Sequence, residues 1–164
     1  MKLVLPVGAI LAALAACATP PPAATAPANA TISLDEAAST QPAQLALISE
    51  FSHAETVARL RTALDARPLT VFAVVDHSAG ATGAGLELPP STLFIFGNPT
   101  AGTPLMRADP RMGLELPLKM LVYETGGEVR IAYPNILQLT ADYGIGPDDA
   151  PVDRIAETLG SIAA

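Results

Sequence analysis

The sequence predicts an α+β fold: a two-layer sandwich in which a mainly antiparallel sheet of about five strands carries helices packed on it. Three observations predict it. Short β-branched and aromatic runs alternate with segments of helical period after residue 44. A Gly126-Gly127 pair sits between two apolar runs, as a tight hairpin requires. Two of the runs are apolar on both faces, Lys119 excepted, which is the pattern of central strands rather than edge strands.

The elements follow in order. Leu45 to Phe51 reads as a strand, and Ser52-His53-Ala54-Glu55 directly after it is a capping box, with Ser52 as N-cap and Glu55 reaching back. Val57, Leu60 and Leu64 then recur at spacings of three and four, so a helix turns one apolar stripe to the core while Arg59 and Arg61 face water. Pro68 closes it. Thr70 to Val75 is a strand ending at the polar pair Asp76-His77, and the small, Gly-rich stretch Ser78 to Leu88 accommodates a short helix. Thr92 to Phe96 and Leu118 to Tyr123 are the two fully apolar strands, Lys119 excepted, with a loop expected between them. Their second face therefore needs a cover: more helices, a partner subunit or a ligand. Glu124 to Arg130 makes the turn, Val129 to Tyr133 returns, and Pro134 stops the strand. Ile136, Leu137, Leu139 and Tyr143 form a short helix ending at Gly144. Ile155, Leu159 and Ile162 mark a last amphipathic helix, started by Asp148 to Asp153.

The first forty or so residues are of another kind. Met1-Lys2 gives a positive charge, Leu3 to Ala13 an apolar stretch of signal-peptide length, and Leu14-Ala15-Ala16-Cys17 follows at once. This segment resembles the lipobox of bacterial lipoproteins. On that reading residues 1–16 are a removed signal peptide, and Cys17, the single cysteine of the chain, takes acyl chains that hold the protein on the bilayer. Ala18 rather than Asp after it implies, in a Gram-negative host, the periplasmic face of the outer membrane. Residues 17–43, rich in Pro, Ala and Thr, form a flexible tether, because so few large apolar side chains cannot offset the entropy of ordering. Extended at ~3.1 Å per residue, it reaches up to roughly 75 Å. Residues 44–164 are left as one globular domain, with a core drawn from Leu, Val, Ile and Phe rather than from alanine, which contributes little burial per residue.

Composition also excludes partners. With a formal net charge of −7 and nine scattered Lys and Arg, the chain lacks the clustered cations that nucleic acid or anionic lipid surfaces select. Two histidines, His53 and His77, without a cysteine in the domain or an H-x-x-x-H spacing, supply no metal set, and no cofactor is expected. Gly-x-Ser-x-Gly, a phosphate loop and a dinucleotide fingerprint are all lacking, and Gly80 to Gly85 has the wrong spacing for one.

Three side chains remain as weak candidates for binding a ligand. His77 stands at a strand end beside Asp76, where it could project into a cleft or cap the next turn. Asn98, between Gly97 and Pro99, could hold a ligand or make an Asx-turn. Lys119 lies inside an apolar strand, where a buried ammonium needs a partner and a surface one snorkels. Gathered at one edge of the sheet, the three would suit a small anion or carboxylate. No catalytic residue is identified.

Several uncommon strings occur in one order: Asp76-His77-Ser78-Ala79-Gly80, Gly85 to Pro90, Leu93 to Pro99, Gly102 to Met106, Asp109-Pro110 and Leu116 to Lys119. They resemble the domain of unknown function 302 family over roughly Leu45 to Ile162. The resemblance implies a small α/β domain, dimeric, without an agreed activity. One departure stands out. Where that family often has Tyr-Asn-Asp-Pro after the last strand, this chain has Tyr133-Pro134-Asn135-Ile136. The expected function is thus an envelope-anchored binding or interaction domain, a homodimer with a small-molecule ligand of unknown identity. The alternative is a small enzyme using His77 with Asp76 or Lys119.

Overall fold

Five antiparallel strands make one sheet, in the spatial order β1 (Gln44–Ser49), β5 (Glu128–Pro134), β4 (Leu118–Thr125), β3 (Ser91–Gly97) and β2 (Thr70–Asp76). The computed structural model describes residues 42–147 and 151–164, which belong to one compact unit running from Ala38 to Ala164. The signal peptide, Cys17 and nearly all of the tether read from the sequence lie outside the described residues, as do residues 148–150.

Strand β1 (Gln44–Ser49) leads through Ser52 into α1 (His53–Asp65). Ser52 Oγ accepts from the Glu55 N–H at 3.3 Å, so the N-cap forms. The reciprocal half of the box does not, because the Glu55 carboxylate takes the Arg59 guanidinium at 2.8 Å. Helix α1 crosses the sheet from β1 on one edge to β2 (Thr70–Asp76) on the other, laying Thr56, Leu60 and Leu64 against it. On the way His53 Nε2 meets the Val122 carbonyl at 3.2 Å. Helix α2 (His77–Gly83) buries none of its residues and returns the chain to β3 (Ser91–Gly97).

Between β3 and β4 (Leu118–Thr125) the expected loop is instead a helix, α3 (Pro99–Ala108), followed by a 3-10 turn, Pro110–Leu114. Asn98 is its N-cap and Pro99 its first residue, where a missing N–H costs nothing because no intrahelical acceptor exists there. Gly126 and Gly127, at φ 59 and 79, join β4 to β5 (Glu128–Pro134) with Thr125 paired to Glu128, the geometry of a two-residue turn that needs left-handed backbone at both positions. Helices α4 (Ile136–Asp142) and α5 (Val152–Ala163) complete the layer.

Alternation along the strands sets the core. Thr92, Phe94, Phe96, Leu118, Met120, Val122, Ile131 and Tyr133 are buried on one face, under α1, α3, α4 and α5. Fully burying a side chain such as Phe94 or Met120 contributes about 1.5 to 3 kcal/mol. The opposite face carries Leu93, Ile95, Lys119, Leu121, Tyr123, Arg130 and Ala132, and none of its described residues is buried. Ile48 at one edge is 62% exposed. The cover that the two apolar strands call for is therefore not supplied by α1, α3, α4 and α5, whose buried residues join the core on the other face, nor by α2, which buries none.

Candidate functional site

Register decides where the three candidate residues stand. Asp76 pairs with Thr92, so His77 begins α2 at one end of β3, while Asn98 follows Gly97 at the other. Seven residues of strand, roughly 20 Å at about 3.3 Å each, separate them. Lys119 pairs with Ile95 and projects from the uncovered face. The three do not form one cluster, and the single edge read from the sequence divides into two opposite ends and a face.

Each has its own local duty. At the His77 end the N-cap is Asp76, whose carboxylate accepts from Ser78 Oγ at 2.6 Å and from the Ala79 N–H at 2.8 Å. The Ser78 hydroxyl, then the Ala79 amide, hold its pKa below the usual 3.8. Asp76 is thus a committed anion and a poor base, and His77 stays exposed beside it. Lys119 Nζ donates to the Glu115 carbonyl at 3.2 Å, one of its three N–H donors. Two further strands' width and three residues along the sheet keep it from His77, roughly 10 Å in each direction.

Asn98 occupies a different setting. Its Nδ2 donates to the Pro68 carbonyl at 2.9 Å and its Oδ1 accepts from the Thr100 N–H at 2.8 Å, tying the head of α3 to the turn before β2. One N–H and one lone pair of the amide remain. Here, where β2 and β4 begin and β3 ends, α3 and α5 stand apart and leave a cleft of about 650 Å³. Phe96, Leu105, Leu118, Ile155 and Leu159 form its floor and walls. Phe72, Met106, Leu116 and Pro117 extend it round the sheet end, and Thr100, Thr103, Thr158, Arg67 and Arg154 stand among them. Phe72 and Met106 are 55% and 37% exposed, so apolar surface is open to solvent on this end. The volume lies within the ~300–1,000 Å³ of small-molecule sites, and the lining, mostly apolar with a few polar groups, is of their kind.

Two other corners are structural. Asn135, in the string that departs from the family pattern, is 4% exposed; its backbone N–H and Nδ2 donate to the carbonyls of Ala43 and Pro42, both at 3.0 Å, clamping the entry to β1. Tyr143 donates to Glu115 Oε1 at 2.9 Å, and that bond raises the phenol pKa above 10.0. Among the described residues no group of three or more His, Cys, Asp or Glu could hold a metal ion.

Fold and cleft together define an antiparallel α+β sandwich with an apolar opening at one end of its sheet. The chain belongs to the family described as "Domain of unknown function DUF302", which it matches over residues 45–163. A solved chain described as an uncharacterized conserved DUF302 protein from Bacillus stearothermophilus shares the fold, with a TM-score of 0.67 at 19% identity over 75% of this chain and 97% of that one. Two curated relatives carry the name "Fluoride-specific ion channel FluC 1". That of Brucella suis biovar 1 (strain 1330) is 41% identical over 116 residues, 70% of this chain and 46% of its own length. That of Brucella abortus biovar 1 (strain 9-941) is also 41% identical over 116 residues, 43% of its length. The chain thus spans less than half of these relatives. Among its own described residues no helix is long and apolar enough to cross a membrane.

Proposed function

We propose that this chain is an envelope lipoprotein whose DUF302 domain is a binding module, holding a small, mostly apolar molecule between α3 and α5. The observation that carries the reading is the cleft: floored by Phe96, Leu118 and Leu159, side chains of the core itself, and open at Met106 and Phe72. A cleft with such walls gains free energy when an apolar group displaces its water, at roughly 25 cal/mol per Å² covered. Native mass spectrometry of residues 38–164, released gently from a bacterial periplasm, tests it. A reproducible added mass that Met106→Glu abolishes supports the module; bare protein from every preparation overturns it.

Anchoring through Cys17 rests on the run Leu14-Ala15-Ala16-Cys17 and the Pro-, Ala- and Thr-rich segment after it. The relatives named as fluoride channels set a similar segment within membrane proteins, which favours work at a membrane here as well; fluoride conduction belongs to the whole of those longer chains and is not assigned to this one. Acyl labelling should mark the wild type and disappear in Cys17→Ala.

A second copy of the chain is the occupant we assign to the uncovered sheet face. Leu93, Ile95, Leu121 and Ala132 lie side by side there at the centre of five strands, with Ile48 and Val75 toward the edges. A flat face with the same apolar residues along a central line is self-complementary about a two-fold axis. Leu121→Glu should convert a dimer to a monomer in sedimentation without unfolding it. A monomeric wild type would overturn this part of the reading and leave the cleft untouched.

A further inference from the structure

Charge is distributed unevenly around the cleft. In a chain with 16 Asp and Glu against nine Lys and Arg, the described lining residues of the cleft include Arg67 and Arg154 and no carboxylate. Of the five other arginines, Arg59, Arg61, Arg111 and Arg130 each hold an Asp or Glu within 4 Å. Arg67 and Arg154 enter no ion pair among the described residues. The Arg67 guanidinium donates to the Ala63 carbonyl at 2.6 Å and to the Ser161 carbonyl and hydroxyl at 3.2 Å, which tie α1 to α5 and leave its charge uncompensated. Arg107, likewise without an ion pair, lines the adjoining groove with Thr100 and Thr103.

We infer that the ligand of the cleft is a single-chain anionic amphiphile, its hydrocarbon chain on Phe72, Met106 and the edge of Leu118 and its carboxylate or phosphate head toward Arg154 and Arg67. The inference rests on the cleft being a binding site. Size limits the chain count. A sixteen-carbon chain, each carbon taking about the ~30 Å³ of a water molecule, fills roughly 480 Å³. Two such chains would overfill the 650 Å³ present. Charge selects the head. A guanidinium lacking a carboxylate partner gains a charge-assisted bond from an anion and repels a cation. The apolar walls reject small hydrophilic anions, which would forfeit hydration there without hydrogen bonds to replace it.

The test is calorimetric titration of residues 38–164 with three twelve-carbon probes below their micelle concentrations: dodecanoate, dodecanol and dodecyltrimethylammonium. Dodecanoate should bind one per domain, and about tenfold or more tighter than dodecyltrimethylammonium. Arg154→Gln, at an exposed position that leaves the fold intact, should weaken dodecanoate about three- to tenfold and leave dodecanol unchanged. Met106→Glu should weaken both. Equal affinity for the three heads overturns the anionic class while leaving the cleft as an apolar site. Binding of none overturns the amphiphile, and the added mass sought by native mass spectrometry then decides separately whether the cleft holds anything else.

Discussion

Asn98 shows what one amide can do at the mouth of a cleft. By accepting from Thr100 and donating to Pro68 it fixes both the start of α3 and the turn that begins β2, and so the width of the opening. Asn98→Ala should lower the unfolding free energy by about 1 kcal/mol, read from urea denaturation, and weaken ligand binding only indirectly. Asp76 and Asp109 hold their own helix starts as anions, with pKa values depressed by Ser78 and by Arg111 respectively. A carboxylate with a lower folded than unfolded pKa stabilises the fold above the unfolded value, 3.8, and loses that contribution as pH falls through the folded value. Urea midpoints should therefore drop below pH 3.8, less steeply in Asp76→Asn. At this scale the sequence was half readable. Asp76, Asn98 and Lys119 declare their chemistry, but whether Asn98 caps or binds depends on Pro68, thirty positions away.

The elements were legible where period and punctuation agree. Ser52 and the stripe of Leu60 and Leu64 announce α1, and Gly126-Gly127 between apolar runs announces the β4–β5 hairpin. Gly127, at φ 79, should tolerate Val badly, at a cost of about 1 to 2 kcal/mol, because a Cβ there crowds the carbonyl; hydrogen exchange should show the loss first in β5. Helix α3 was hidden by its own residues. Pro99, Gly102 and Pro104 read as a loop, yet Pro99 sits at the first turn, and Leu105, at 0% exposure, gives the segment a core anchor that outweighs poor propensity. Asn98-Pro99 was the available signal, an N-cap followed by the favoured first residue. Pro104 cannot donate to the Thr100 carbonyl, so Pro104→Ala should stabilise α3 by about 1 kcal/mol in the same urea assay.

At the scale of the whole molecule, the cleft lies where sequence reading has least reach. The cleft draws Leu69 and Phe72 from β2 and the turn before it, Phe96 from β3, Leu118 from β4, Leu105 from α3 and Leu159 from α5, residues whose nearness follows only from the strand order. His77 and Asn98, neighbours in a plausible cluster on paper, stand at opposite ends because β2 and β3 run antiparallel. The sequence calls for a cover on the face of Leu93, Ile95 and Leu121, and among the described residues no helix buries them. One measurement reaches the central claim most directly: amide chemical-shift mapping of residues 38–164 titrated with a total lipid extract of bacterial envelopes. Shifts confined to α3, α5 and the adjoining ends of β2, β3 and β4 are the expected result. Shifts along Leu93, Ile95 and Leu121 alone, or none at saturating lipid, would contradict a binding module built on this cleft.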